Sequence, residues 1–314
     1  MPSHPLRLGT RSSPLARWQA EWVAARLQEH GVEVELVWIS TQGDVRTGSL
    51  ASFGGVGVFT KEIQRALLAG EIDLAVHSLK DLPTEKVEGL TLAAVPPRES
   101  PRDALIANDA NLTFETLPKG ARIGTGSLRR RACLLHARPD LVMEEIRGNV
   151  DTRIRKLTDG QYDAIILAEA GLSRLGLAAK VSQFLGAPLI LPAPGQGALG
   201  IEARSDAAAT LAALAPLNDV AARAAVIAER ALLAELRAGC LAPVGAWGRL
   251  GAQGELLLDA AVLSPDGRQR IDASGLAAAA EAESLGQRLA ADLIARGARE
   301  LIVAAREPRQ SEGL

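Results

Sequence analysis

At 314 residues, 47% of them hydrophobic, the chain is long enough for two or three domains, each with its own core. Lys and Arg number 35 against 37 Asp and Glu, and a net charge of −2 excludes a general nucleic-acid binder, whose footprint is a basic domain. Two cysteines, Cys133 and Cys240, with no CxxC and four scattered histidines, exclude a disulfide framework and a zinc site and fit a reducing compartment.

The start, Met1-Pro2-Ser3-His4-Pro5, lacks the charged and apolar regions of a signal peptide, and no apolar run reaches membrane-spanning length. A soluble, cytoplasmic protein is expected. Leu6 to Thr10 reads as a first strand, Ser13 as an N-cap and Pro14 as the first residue of a helix running to about Glu29. Val32 to Ile39 reads as a second strand. From Thr41 to Gly57 the chain is rich in Gly and Ser without a period, the signature of a long loop over a site. Helix returns over Phe59 to Leu68, then strands at Ile72 to His77 and Leu90 to Val95, an alternation that implies a parallel or mixed sheet.

Pro96-Pro97 and Pro101 break the pattern, and a second α/β series begins at Ala121 to Gly124. It continues through a helix capped by Ser127, a strand over Val142 to Arg147, a helix to Asp159 and a strand at Ala164 to Ala168. It closes at Pro188, Pro192 and Pro194-Gly195-Gln196-Gly197, after which Leu199 to Ala203 is one more strand. Two proline-rich crossings around one α/β unit predict that the chain leaves a first domain, builds a second and returns, giving two lobes and a hinge. Asp219 to Leu236 predicts a long helix with one buried face. Three strands, Val244 to Arg249, Leu256 to Ser264 and Gln269 to Ser274, and a helix from Ala277 to Ala295 predict a small α+β third domain. The expected domains are therefore 1–97 with 198–216, 98–197, and 217–314, with Arg309 to Leu314 frayed.

The stretch from Ile123 to Arg131, IGTGSLRRR, joins a strand end, a glycine turn and a helix start carrying three arginines. Cations are disfavoured at a helix N-terminus unless an anion intervenes, so these arginines either form a solvated basic face or await a carboxylate or phosphate. Arg147, Gly148, Asn149 and Arg153 follow in the next strand and helix, and residues 9–14, GTRSSP, repeat the strand, turn and helix-start design. Asp81 falls just past the end of an apolar strand, where open α/β sheets place functional groups. It is either a turn residue before Pro83 or a carboxylate held ionised beside Lys80, able to stabilise a cation or shuttle a proton. His77, inside the strand, is expected to be structural. Cys133 is assigned to packing, whereas Cys240, in the turn Gly-Cys-Leu-Ala-Pro, is either a buried inert thiol or an exposed attachment point. Gly124-Thr125-Gly126 lacks a third glycine in phase and Gly54-Gly55-Val56-Gly57 lacks the Lys of a P-loop, so no nucleotide motif stands.

Seven ordered motifs are similar to those of the porphobilinogen deaminase (hydroxymethylbilane synthase) family. They are TRSSPLA (10–16), AVHSLKDLP (75–83), GTGSLRR (124–130), RGNVDTR (147–153), YDAIILAEAGLSRLGL (162–177), LPAPGQGALGIEAR (191–204) and AGCLAPVG (238–245). The resemblance implies an α/β protein with two lobes built like periplasmic binding proteins, plus a small α+β C-terminal domain. It implies an enzyme that condenses four porphobilinogen molecules head to tail, releases ammonia and hydrolyses off a linear tetrapyrrole, working as a cytoplasmic monomer without nucleic acid or membrane. By the same resemblance Cys240 holds a dipyrromethane cofactor through a thioether, and Asp81 stabilises the azafulvene cation left when the amine departs. The acetate and propionate groups of each ring are expected on Arg11, Arg129, Arg130, Arg147, Arg153 and Arg174, with Ser13, Ser78, Lys80, Thr125, Ser127 and Gln196 contributing. Val56 stands where the family's loop has a lysine, and Gly126 where it has a serine. The alternative is a non-catalytic two-lobed binding protein for a carboxylated solute, which leaves Cys240 and the third domain without a task.

Overall fold

The structure is a computed structural model that describes residues 4–40, 60–239 and 242–306. The expected loop from Thr41 to Gly57, the frayed end and Cys240 itself lie outside the described residues.

The chain opens as its local chemistry dictates. Strand β1 (Leu6–Thr10) leads into a helix over Pro14–Glu29, whose N-cap Ser13 accepts a hydrogen bond from the Ala16 N–H at 3.4 Å. Strands β2 (Val34–Trp38), β3 (Leu74–Ser78) and β4 (Leu90–Ala94) follow, with a helix over Lys61–Leu68 between β2 and β3. The sheet order is β2-β1-β3-β10-β4, where β10 (Leu199–Arg204) comes from much later in the chain and runs antiparallel to both neighbours.

A second sheet repeats that plan. It contains β5 (Asp103–Ala107), β6 (Arg122–Gly124), β7 (Val142–Glu144), β8 (Ala164–Ala168) and β9 (Gln183–Leu185), in the order β7-β6-β8-β5-β9. Its fourth position is again the antiparallel one, filled by β5, the strand that enters directly from the first crossing. Each lobe thus takes its antiparallel strand from the segment next to a crossing, and the two lobes share one topology.

Five strands and α-helices among the described residues lie outside the expected set: β5, β9 and helices over Glu169–Arg174, Ala208–Leu214 and Ala298–Ala304. All are short, and β5 hides behind Pro101 with only Ala-Leu-Ile-Ala as its apolar signal, yet every residue in it is buried. His77 takes a structural place, its Nε2 3.0 Å from the buried Glu202 carboxylate on β10.

The crossings run side by side. At Gly197 φ is +86°, and a Cβ there would collide with the Glu99 carbonyl oxygen and lie 2.9 Å from that of Ser100, so only glycine lets the two passes touch.

The third unit is an antiparallel sheet, β11 (Val244–Leu250), β12 (Leu256–Leu263) and β13 (Arg270–Ala277), against helices over Val220–Glu235 and Ala282–Ala295. The two-residue period of β12 sends Leu256, Leu258, Ala260 and Val262 into this unit's own core, while Ala261 and Leu263 join the core of the second lobe. His136 Nδ1 donates to the Gly267 carbonyl across the same boundary at 2.7 Å. Toward the first lobe, Ala222 and Val226 of the long helix pack with Leu79, Leu82, Val95 and Ala198. The third unit is therefore wedged against both lobes. Among the described residues, no single helix is long and apolar enough to cross a membrane.

Candidate active site

Asp81 ends a single 3-10 turn, Leu79–Asp81, that begins where β3 stops. The turn is anchored by the Leu79 N–H to the Ala198 carbonyl at 3.0 Å and by Leu82 N–H back to Leu79 at 3.2 Å. Leu79 and Leu82 are buried and Asp81 is exposed, so the backbone is held while the carboxylate faces outward.

Across from it, the helix over Leu128–Ala137 begins with Ser127, whose hydroxyl accepts from the Arg130 N–H at 3.4 Å. Thr125 is buried, and its hydroxyl accepts from the Ser127 N–H at 3.2 Å. Arg129 and Arg130, only 3% and 6% exposed, do not form a solvated face. Both turn inward onto Asp103 at the start of β5. Arg129 donates to one oxygen at 2.7 Å and to the Leu191 carbonyl at 2.7 Å; Arg130 donates to the other oxygen at 3.0 Å and to the Ile166 carbonyl at 2.9 Å. Gln196, from the second crossing, adds a bond to Asp103 at 2.9 Å. Part of the negative charge that suits this helix start is thus internal, supplied by Asp103.

The cluster keeps an excess of positive charge. Burial alone would push the Asp103 carboxyl up, but Arg129 and Arg130 outweigh it and hold it well below the usual carboxylate range. Burial, with Arg130 and Arg129 as cationic neighbours, brings the Lys80 ammonium down to about 8 despite the opposing pull of Asp81 and Asp103. Burial lowers Arg130 as well, against the raising effect of Asp103. Arg153 falls to about 10, first by burial and then by Arg130, while Asp81 opposes the change. Lys80, Asp81, Asp103, Arg129, Arg130 and Arg153 therefore sense one another. Arg147 joins the edge of this group, near enough to lower Arg153 and itself paired with Glu145. The buried Arg129 Nε has no acceptor among the described residues.

Other expected residues stand apart. Arg174 donates to the Gly197 carbonyl at 2.7 Å and lies over the Trp18 ring, in a cleft shared with Ser12 and Arg17; burial brings it down to about 10. Ser78 accepts from Gln19 at 2.8 Å, and Ser13 serves its helix cap. Arg11 is half-buried between β1 and that cap. Cys133 is buried among the apolar side chains of the second lobe, which pushes its thiol up to about 11, the mark of a packing residue.

Two residues that sequence reasoning missed matter most. Asp103 is the shared counter-ion just described; its signal was a lone carboxylate heading an apolar run. Glu229 is 0% exposed in the long helix of the third unit, where it accepts from Arg98 at 2.6 and 3.2 Å, from the Gly195 N–H at 2.6 Å and from the Gly248 N–H at 2.7 Å. Its signal was a glutamate in phase with the buried Val226 and Leu232.

A family model described as "Porphobilinogen deaminase, dipyromethane cofactor binding domain" matches residues 6–212, and one described as "Porphobilinogen deaminase, C-terminal domain" matches residues 223–295. Porphobilinogen deaminase of Syntrophotalea carbinolica is 48% identical over 97% of this chain and 97% of its own, and that of Trichlorobacter lovleyi is 50% identical over 95% of each. The chain belongs to the porphobilinogen deaminase family. Among solved structures it is similar to the methionine-binding protein MetQ, at 15% identity and a TM-score of 0.42 over 66% of this chain and 89% of that one. Family membership makes it a hydroxymethylbilane synthase of tetrapyrrole biosynthesis with a dipyrromethane cofactor, and overturns the non-catalytic binding-protein alternative. The residues present fit such a group: a buried guanidinium Nε without an acceptor and a locally cationic cluster suit a multiply carboxylated ligand.

Proposed function

We propose that Asp81 is the catalytic carboxylate of this deaminase, that Cys240 tethers the cofactor, and that the arginine cluster holds ring carboxylates. The observation that carries the reading is an exposed Asp81 on a turn anchored through its backbone, electrostatically coupled to Lys80 and Arg153 beside the Arg129–Arg130 pair. Loss of ammonia leaves a positive charge on the substrate ring. A fixed carboxylate near that charge stabilises the cation more than the neutral ground state, and only such a difference raises the rate. Lys80, Arg129, Arg130, Arg147 and Arg153 orient substrate through its acetate and propionate groups, with Arg11 and Arg174 serving further along. When bound, the dipyrromethane supplies the free ring carbon to which the first substrate unit is joined.

The supporting hydroxyl and amide groups of Ser13, Ser78, Thr125, Ser127 and Gln196 shape the turns that carry these charges. The domains proposed are 1–97 with 198–216, 98–197, and 217–314, the last carrying the tether. The protein acts as a cytoplasmic monomer on a small-molecule substrate, without nucleic acid or membrane.

The test is single-turnover ring addition by wild type, Asp81→Asn and Asp81→Glu, each shown by intact mass to carry the cofactor. Asn should slow addition by roughly 10² or more, as removal of other electrostatic stabilisers does, and Glu should retain more activity because it keeps the sign of the charge. An Asn variant as fast as wild type, or faster than Glu, sinks the role of Asp81. In the same mass measurement Cys240→Ala should show the bare chain; dipyrrole mass on that variant, or mapped to Cys133, removes the tether assignment.

A further inference from the structure

The Asp81 turn has little regular structure of its own to hold it. Beyond Leu82 the chain is irregular until β4, and the 3-10 turn itself is one turn long. What lies against it is a helix from another unit, Val220–Glu235. Ala222 and Val226 of that helix pack with Leu79 and Leu82, the apolar residues on either side of Asp81. One further turn along the same face, Arg230 donates from Nη1 to the Leu82 carbonyl at 2.8 Å and from Nη2 to the Pro83 carbonyl at 2.7 Å. Residues 222, 226 and 230 are spaced four apart and so form a single stripe along the turn. The planar fork of an arginine captures two successive carbonyls at once, which a lysine ammonium does not do with the same geometry.

We infer that Arg230 is a positioning residue for the reaction: it holds the Leu82–Pro83 backbone so that the Asp81 carboxylate stays where charge develops on the substrate. The helix that carries Arg230 ends at Glu235, and Leu236 to Gly239 lead from it to Cys240 in sequence. Arg230 touches neither substrate nor cofactor in this role; it acts through Asp81. The inference rests on the reading of Asp81 as the catalytic carboxylate.

The experiment compares Arg230→Gln and Arg230→Lys, each alone and Arg230→Gln also with Asp81→Asn, with rates expressed per mole of cofactor-loaded enzyme counted by intact mass. Misplacement of a reacting group by about 1 Å costs up to about 10²-fold, so kcat of Arg230→Gln should fall by about tenfold or more. KM for porphobilinogen should stay within about twofold, because the carboxylate-binding arginines are untouched. Arg230→Lys should recover part of the loss. With Asp81→Asn already present, Arg230→Gln should cost less than about a further twofold, since residues acting as one unit do not add. The inference is overturned by a wild-type kcat in Arg230→Gln, by an equal fold-loss in both backgrounds, or by a loss wholly explained by unloaded enzyme. A fast Arg230→Gln beside a slow Asp81→Asn overturns this inference alone, whereas a fast Asp81→Asn removes the reading beneath it and the role of Arg230 with it.

Discussion

Arg98 and Glu229 form a fork-to-fork pair at the junction of all three units, the guanidinium Nη atoms lying 2.6 and 3.2 Å from the two carboxylate oxygens. Arg98 belongs to the first crossing, and its Nε also donates to the Gln196 carbonyl of the second at 2.9 Å. Glu229 in turn receives the Gly195 and Gly248 N–H groups, so one buried carboxylate ties both crossings to the third unit. Removing one member of a buried pair leaves the other charge uncompensated, at a cost of about 3–5 kcal/mol. We predict that loss for Glu229→Ala and a similar one for Arg98→Met, with the double variant costing less than their sum. Urea unfolding of the four proteins checks it, and strict additivity would show that the two residues stabilise the junction separately.

Asp103 plays the corresponding part inside the second lobe. Asp103→Asn strips the shared counter-ion from Arg129 and Arg130 and should destabilise the protein at pH 7 by about 3–5 kcal/mol. The folded carboxyl is held below its unfolded range, so its contribution is complete above the unfolded value near 3.8 and is lost as pH falls toward the folded one. Wild type should therefore lose stability steeply below pH 4, and Asp103→Asn less steeply. Denaturant melts at pH 7 and pH 3 decide this; equal acid slopes would be evidence against the pairing.

Lys80 should make ligand binding depend on pH. Its ammonium is brought down to about 8 by burial and by Arg130, and a bound carboxylate raises it again, so binding is coupled to proton uptake. The coupling favours binding fully below about 8 and fades as pH rises through that value. We predict that KM for porphobilinogen rises between pH 7.5 and 9.5, by up to about tenfold. Lys80→Arg, charged throughout, should give a flat profile in that window. A wild-type profile as flat as that of Lys80→Arg would exclude Lys80 from the binding site.

Gly197 is expected to tolerate no side chain. Its φ of +86° is strained for any L residue, and a Cβ would run into the carbonyl groups of Glu99 and Ser100 on the other crossing. Gly197→Ala should destabilise by more than about 1–3 kcal/mol, the cost of backbone strain alone. By contrast Gly160→Ala, with φ of +75° but open space around it, should cost less. Thermal unfolding of the two variants gives the comparison, and equal losses would mean that the contact between crossings adds nothing.

Local chemistry was enough for much of the chain. Ser13-Pro14, Ser127, Asn149 and Asp219 each offer a cap whose partner lies three residues away, so those helix starts are written in adjacent residues. Strands such as Leu74–Ser78, which opens Leu-Ala-Val, and Ala164–Ala168 are short apolar runs bounded by polar or turn-forming residues, and they were legible for the same reason. Family motifs picked out Asp81 and the arginines because each motif is a short contiguous string.

What tertiary structure alone decided are relations between residues far apart in the chain. Arg129 and Arg130 could have faced solvent; Asp103, 26 and 27 residues earlier, turns them inward, and the short strand that brings it there carries little signal of its own. Glu229 and Arg98 lie 131 residues apart, and Arg230 lies 148 from Leu82. Nothing in the local propensity of an Ala-rich helix says which carbonyl groups its arginine will meet. Burial energy depends on which surfaces come together, and a buried charge is tolerated only where the completed fold delivers its partners. The sequence by itself therefore determined the elements and the chemistry available to them, whereas the short strand that carries Asp103 and the packing of the third unit against both lobes determined where that chemistry points.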